Sequence, residues 1–463
     1  MSEINGIEFK TIVNSKLPED WRTPEALHEF EDFLQYNWEE REIFFNGDNL
    51  SGKQQFLQFT SHGGIKPQNY IGLISFKGHQ LNIFPKVFRT DFDDDDHITA
   101  TEATKEELMK NIANWIEYSS KLEYHHINIA SDFENSDNLK QLFISLYVKY
   151  VKSAMDHGLF FRYEDKNEDL KVIKGKLNIV DYYTKKYPNG RLNEFNCNFS
   201  TFEFDNLLNQ IIKCTCKYIL KDKDTSSKNE KSVNKILLKL NDVSDVRCVP
   251  GDCDKILLSK MNSNYKIILS MSKMFLMNKE SSYNFDNSDS FCFLFPTEML
   301  FESFIGGFIQ DTLKDAKVSL QKQQKMINKV EIDDKFYDAN KKLRYDIYVK
   351  YKNSVIILDT KYKEISRIRD NKLVQYNILN EIEDNDIKQV AIYALKEGIT
   401  TVFLLYPQIR YEDLDAKPII LHSDYEHAGK TIKIIAMRIP FVFDENKEVT
   451  LENLKKVINI IFE

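Results

Sequence analysis

Val355-Ile356-Ile357-Leu358 is an unbroken apolar run that leads straight into Asp359-Thr360-Lys361. Such a run suits a central strand covered on both faces. Side chains alternate along a strand, so Asp359 and Lys361 share a face. Upstream, Arg344-Tyr345-Asp346-Ile347-Tyr348-Val349-Lys350 is strand-like and turns at Tyr351-Lys352-Asn353-Ser354. That hairpin can bring Asp346 beside the other two. Two carboxylates and a lysine at the end of a buried strand are costly if left uncompensated.

A divalent cation resolves that cost. Asp346 and Asp359 would offer hard oxygen ligands to Mg²⁺, with water and a phosphate oxygen completing the octahedron. The cation would acidify a bound water and stabilise charge on the phosphorane, while Lys361 orients the water or stabilises developing charge. The bland alternative is a Lys361–Asp359 salt bridge at a strand end, with Asp346 an ordinary carboxylate. D-x-K alone is a weak signal. The spacing D-x12-D-x-K behind an apolar run, with a helical acid upstream, is more specific. That acid is Glu302, on a pattern with Leu300, Phe301, Phe304, Ile305, Phe308 and Ile309, where a solvated face is its commoner fate. Gln389 and Tyr393 lie four apart on the helix predicted at 384–395. With Lys363 and Arg344 they are candidates to touch DNA or brace the site.

At 463 residues the chain has room for roughly two to four domains. Hydrophobic residues make up 42% and aromatics 13%, which supports real cores and excludes a disordered chain. The net charge of −8 taken alone argues against a nucleic-acid partner. Its distribution argues otherwise: residues 314–372 hold 16 Lys or Arg against 9 Asp or Glu, around the D-x-K motif. No apolar run reaches the ~20 residues that span a bilayer, and the first residues lack a leader pattern. A cytoplasmic protein with no membrane partner is expected. The six cysteines, at 197, 214, 216, 248, 253 and 292, lack zinc-ligand spacing and read as buried free thiols in a reducing compartment.

Three segments are expected. Residues 1–100 read as mixed α/β with a hairpin at 71–87, and the acidic run 91–96 reads as a linker. Residues 101–285 read as largely helical, at 106–118, 139–155 and 204–220. They include a strand or hairpin at 171–180 and polar loops at 222–231 and 278–289. Residues 286–463 begin with a short apolar strand or extended lead-in at 291–295 and a helix starting at 296–298, followed by strands at 344–350 and 354–361, a helix at 384–395 and a strand at 400–406. The fold class is therefore α/β (multi-domain α+β). A mixed α+β N-terminal region precedes a C-terminal α-β-β-α-β domain of the restriction-endonuclease-like, PD-(D/E)xK type.

Six blocks, in order, resemble the McrC family, the nuclease subunit of McrBC-type modification-dependent restriction systems. They are Ile71-Gly72-Leu73-Ile74 with Leu81-Asn82-Ile83-Phe84-Pro85-Lys86-Val87; Tyr163 with Leu170 and Lys174-Gly175-Lys176-Leu177; Phe202-Glu203-Phe204-Asp205-Asn206-Leu207-Leu208-Asn209; Leu300-Phe301-Glu302; Leu358-Asp359-Thr360-Lys361-Tyr362-Lys363; and Asp386-Ile387-Lys388-Gln389 with Tyr393-Ala394. Tyr345 stands where the family usually has Pro, and Lys174 where it often has Arg, which keeps the charge without the planar fork.

The resemblance implies a Mg²⁺-dependent DNA endonuclease subunit with Asp346, Asp359, Lys361 and Glu302 as its catalytic set. It also implies a McrB-like AAA+ GTPase hexamer as partner and double-stranded, modified DNA as substrate. The N-terminal part would couple to the ring, with Gly72, Lys77, His79, Pro85 and Lys86 as candidate partner-binding residues. The chain has no G-x-x-x-x-G-K-[ST] loop of its own. A non-catalytic subunit that only activates the GTPase ring is the alternative.

Overall fold

The structure is a computed structural model. It describes residues 3–39, 52–88, 102–119, 139–221, 225–259, 262, 265–284, 290–332, 335–363, 382–408, 419–427, 429–443 and 447–462. The acidic run at 91–96 lies outside the described residues.

The chain opens with strand β1 (Glu3–Ile7) and helix α1 (Pro24–Glu39). Thr23 caps α1 by accepting from the Ala26 N–H at 3.2 Å, and Pro24 takes the first helical position, where its missing donor is not needed. Short strands β2 (Leu57–Phe59) and β3 (Ile65–Pro67) pair with each other, and β4 (Tyr70–Phe76) and β5 (His79–Phe84) form the expected hairpin. Helix α2 (Glu102–Tyr118) and helix α3 (Leu139–His157) follow.

Next come β6 (Arg162–Leu170), β7 (Lys176–Leu177) and β8 (Phe195–Glu203), then helices α4 (Leu207–Lys221), α5 (Ser227–Lys239) and α6 (Tyr265–Asn284). The last part holds β9 (Phe291–Pro296), α7 (Thr297–Thr312), β10 (Lys317–Ile332), β11 (Lys335–Tyr351), β12 (Ser354–Thr360), α8 (Asp384–Glu397), β13 (Thr401–Pro407), β14 (Ile419–His427), β15 (Lys430–Ile439) and α9 (Lys447–Phe462). The fold is mixed α/β, as the sequence implies.

Contacts group the chain into two compact units that differ from the three expected segments. One unit is Met1–Leu142 with Ser281–Glu463, and the other is Phe143–Glu280. The first unit is discontinuous because β9 is built into the N-terminal sheet, whose order is β1-β5-β4-β9. Gly72 makes that pairing possible. Its φ is +136°, and a Cβ there would stand 2.0 Å from the Phe293 carbonyl oxygen. The core beneath this sheet joins Trp21, Phe30, Phe33, Ile74 and Phe76.

The same unit holds a six-stranded sheet of order β10-β11-β12-β13-β15-β14. Its centre, β12, runs antiparallel to β11 and parallel to β13, which explains the unbroken apolar run. The expected α-β-β-α-β order is present as α7, β11, β12, α8 and β13. The sequence reading lacked β10, which precedes these strands. Helix α2 packs on the C-terminal part: Trp115 stacks on Phe441 at 4.2 Å, and its indole N–H donates to the Phe441 carbonyl at 2.7 Å.

The second unit carries a three-stranded sheet, β6-β8-β7, and the helices α4, α5 and most of α6. Three local expectations need correction. The polar stretch 222–231, read as a loop, runs into α5 from residue 227, because Ser226 caps the helix by accepting from the Asn229 N–H at 3.4 Å. The stretch 171–180 yields only the two-residue β7, after which Asn178 caps a helical turn at Ile179–Asp181. In the same way α6 continues to Asn284, where a boundary loop was expected from 278. All six cysteines are free thiols, and Cys214 alone is not fully buried. No described helix is long and apolar enough to cross a membrane.

Candidate active site

Strand β12 delivers Asp359 to the interior, where its relative exposure is 0%. The Lys361 ammonium lies 2.7 Å from Asp359 Oδ2, on the face that strand alternation requires. Asp359 Oδ1 has no hydrogen-bond partner among the described residues. The register Ile347↔Leu358 sets Asp346 one step further along β11, opposite Asp359. Asp346 Oδ2 accepts from the Thr360 N–H at 2.9 Å and from the Thr360 hydroxyl at 3.0 Å. The three residues singled out in the sequence therefore meet.

Their electrostatics follow from that meeting. Burial pushes the Asp359 carboxyl up to about 7, the neighbouring Asp346 adds to the rise, and Lys361 opposes it. Burial also raises Asp346, against the pull of the Thr360 donors. Burial alone would lower Lys361, but Asp359 beside it outweighs this and raises it above the usual lysine value. Two like charges share one buried space with a single adjacent ammonium.

A relay holds Lys361. Its ammonium donates to Gln389 Oε1 at 3.1 Å, the Gln389 amide donates to the Tyr393 hydroxyl at 2.5 Å, and that hydroxyl donates to the Arg344 carbonyl at 2.7 Å. Gln389 and Tyr393, four apart on α8, thus brace the lysine. The buried Asp386, at the start of α8, lies 3.5 Å from the Lys361 ammonium and 3.2 Å from that of Lys363. Lys363 also pairs with Glu383 at 2.8 Å.

Glu302 is buried at 5% exposure, because α7 is covered on nearly every side. Gln321 donates to Glu302 and accepts from the Arg344 side chain, linking the helical acid to the strand that carries Asp346. Gln321 holds a left-handed φ of +52° between the pairs Leu320↔Ile347 and Lys322↔Tyr345, directly across from Asp346. Sequence reasoning missed Gln321, gave Thr360 no role, and held Asp386 only as the first residue of the sixth block. Thr360 was within reach of it, as the residue inside D-x-K.

The residues expected to contact a partner lie elsewhere in this unit. Gly72 and Pro85 are buried. The Lys77 ammonium pairs with Glu29 across the tip of the hairpin, and His79 Nε2 lies 2.7 Å from Asp20 Oδ2. The Lys86 ammonium turns inward and donates to the Tyr362 carbonyl at 2.7 Å.

The donor set suits Mg²⁺. That cation keeps several waters and takes one or two carboxylates plus phosphate oxygens. Asp359 keeps a buried oxygen without a hydrogen-bond partner among the described residues, and Asp346 is its charged neighbour. Among the described residues no group of three or more His, Cys, Asp or Glu is arranged to hold a metal ion, so water and substrate would complete the sphere.

Residues 65–407 match the family described as McrBC 5-methylcytosine restriction system component. Two solved structures are similar. One is a half-complex from a tetradecameric assembly of Thermococcus gammatolerans McrB AAA+ hexamers with bound McrC. Its matching chain has a TM-score of 0.60 and 16% identity, over 99% of this chain and 100% of that one. The other is the McrBC complex of the same organism, with a TM-score of 0.46 and 17% identity over 66% of this chain and 87% of that one. No curated protein matches the sequence.

Proposed function

Because the chain belongs to the McrBC 5-methylcytosine restriction system component family, we propose that it is the McrC-type nuclease subunit of a restriction complex. It cleaves phosphodiester bonds of modified double-stranded DNA and acts with a McrB-like AAA+ GTPase hexamer whose GTP hydrolysis it stimulates. The observation that carries this reading is the meeting of Asp346, Asp359 and Lys361 at the buried end of β12, with one Asp359 oxygen unpartnered.

Asp346 and Asp359 would hold Mg²⁺. When bound, the cation supplies Lewis acidity toward the phosphate and lowers the pKa of water. The chain's own groups do the rest. Lys361 stays protonated beside Asp359, so it can stabilise charge that grows on a non-bridging phosphate oxygen. Gln389 and Tyr393 fix its direction. Thr360 fixes the Asp346 carboxylate through two donors, leaving its other oxygen for the cation.

The test uses the purified chain with its GTPase partner, GTP, Mg²⁺ and methylated DNA. Wild type should cut, and Asp359→Ala and Lys361→Ala should not, while both still assemble with the ring. Cutting that persists in both variants would overturn the site. GTP turnover without cutting in the wild type would favour the purely regulatory subunit.

A further inference from the structure

The hairpin of β10 and β11 is far longer than the sheet it belongs to. The two strands pair from Lys317↔Lys350 out to Ile332↔Lys335. Strand β12 pairs with β11 only over Ile347–Tyr351. From Tyr345 outward the hairpin therefore has no third strand among those described. Its last anchors are Gln324, which donates to Glu397, and Leu343, which packs against the core of the sheet. Beyond them lie eight residues on each strand, a free ribbon of roughly 25 Å at strand rise.

Charge along this ribbon is not uniform. Residues 317–330 and 339–345 contain seven Lys or Arg and no Asp or Glu, whereas the tip, 331–338, contains four acids and one Lys. The basic part is the part next to Asp346. Lys325 stands directly opposite Lys342, and Lys317 opposite Lys350. Like charges placed face to face across a strand pair are destabilising on their own. Lys325 and Lys341 are exposed and have no ion-pair partner among the described residues. In a protein of net charge −8 this is a local arrangement that an anion would relieve.

We propose that the proximal part of this ribbon, carrying Lys325, Lys329, Lys341 and Lys342, is the platform that grips the phosphate backbone of double-stranded DNA beside the active site. It rests on the nuclease reading above and adds where the duplex is held. A two-stranded ribbon fits the major groove, and register shifts between Lys325 and Lys329 add twist to follow it. The acidic tip is repelled by phosphate, so the grip is confined to the stretch adjoining Asp346.

The test is a salt titration of duplex binding by the full chain, read by anisotropy of a labelled DNA duplex with Ca²⁺ in place of Mg²⁺. Each lost phosphate contact lowers the slope of log K against log salt by about 0.9. Lys325→Ala/Lys341→Ala should lower the slope by about 2 and weaken binding roughly tenfold at moderate salt. The tip variant Lys335→Ala should leave both unchanged, and Lys325→Gln/Lys341→Gln guards against a folding artefact. An unchanged slope in the double variants overturns the proposal. So does a wild type that binds no duplex at low salt, or a double variant whose only defect is altered self-association in sedimentation. Asp359→Asn separates the two readings: it should fail to cut, while its salt slope still falls by about 2 when Lys325→Ala/Lys341→Ala is added. Cutting by Asp359→Asn would sink the catalytic assignment while leaving a ribbon-dependent slope standing.

Discussion

The hydroxyl of Tyr362 donates to the Glu8 carboxylate at 3.1 Å, joining the residue after Lys361 to the end of the first strand. Glu8 is buried at 2% exposure. It also accepts from the Lys86 N–H at 3.1 Å and from the Thr297 hydroxyl. The Lys86 ammonium returns to the Tyr362 carbonyl. The end of the D-x-K strand is therefore clamped on both its carbonyl and its ring, by residues from β1, the β5 end and the start of α7.

This clamp titrates. Burial pushes Glu8 up to about 7 from 4.5, against the lowering by Thr297, Lys86 and Tyr362. A carboxyl raised in the fold stabilises below its unfolded value, and that contribution is lost as pH rises through the folded value. Stability should thus fall between about pH 5 and pH 7.5, by up to about 3 kcal/mol from this group at 1.36 kcal/mol per unit. Urea unfolding at several pH values should show a flatter profile for Glu8→Gln. An identical profile would rule out Glu8 as a source of the slope.

Asp359 trades stability for its place in the site. Its carboxyl is raised for the same reason, so its contribution to stability falls as pH rises from about 4 to about 7, and above that its ionisation opposes folding in full. Without added metal, Asp359→Asn should be more stable than wild type at pH 8, by about 1–3 kcal/mol, and close to it at pH 4. The variant should be inactive throughout. Equal gains at both pH values would contradict a buried-charge origin.

Mg²⁺ should raise the melting temperature in a pH-dependent manner. Protons compete with the cation for Asp346 and Asp359, so the increase should be larger at pH 8 than at pH 6. A ligand at 100 times its Kd adds about 2.7 kcal/mol. Asp346→Asn should remove the increase. An increase that survives this substitution locates the cation elsewhere.

Gln321 holds a strained backbone where it bridges Glu302 and Arg344. Gln321→Gly should relieve about 1 kcal/mol of conformational strain and cut more slowly, by about tenfold, because the bridge is gone. Gln321→Ala keeps the strain and also loses the bridge. Melting curves and cleavage rates together distinguish this from a residue that merely fills space.

The meeting of Asp346, Asp359 and Lys361 could be read from sequence because a strand covered on both faces is apolar without interruption, and polar residues at its end stand out. Glu302 was harder. Its helix is buried almost all round, so the apolar stripe through Leu300, Phe304 and Phe308 says little about the remaining positions. Strand β10 could not be read, since a solvated ribbon such as Lys322-Gln323-Gln324-Lys325 needs no alternating apolar face. The strands of the hairpin at 71–87 were legible, but their surroundings were not: β4 is buried at six of its seven positions and paired along both edges, by β5 and β9. Gln321 reaches the site through a backbone conformation that its residue type does not announce.

That pairing also sets an order on synthesis. Strands β1, β4 and β5 leave the ribosome early, but the outer edge of β4 has no mate until Phe291–Pro296 has been made, about two hundred residues later. An open edge is a template for association with other chains. A nascent chain stalled before that point therefore carries a sticky edge, and chaperone capture during translation should be strongest over this interval.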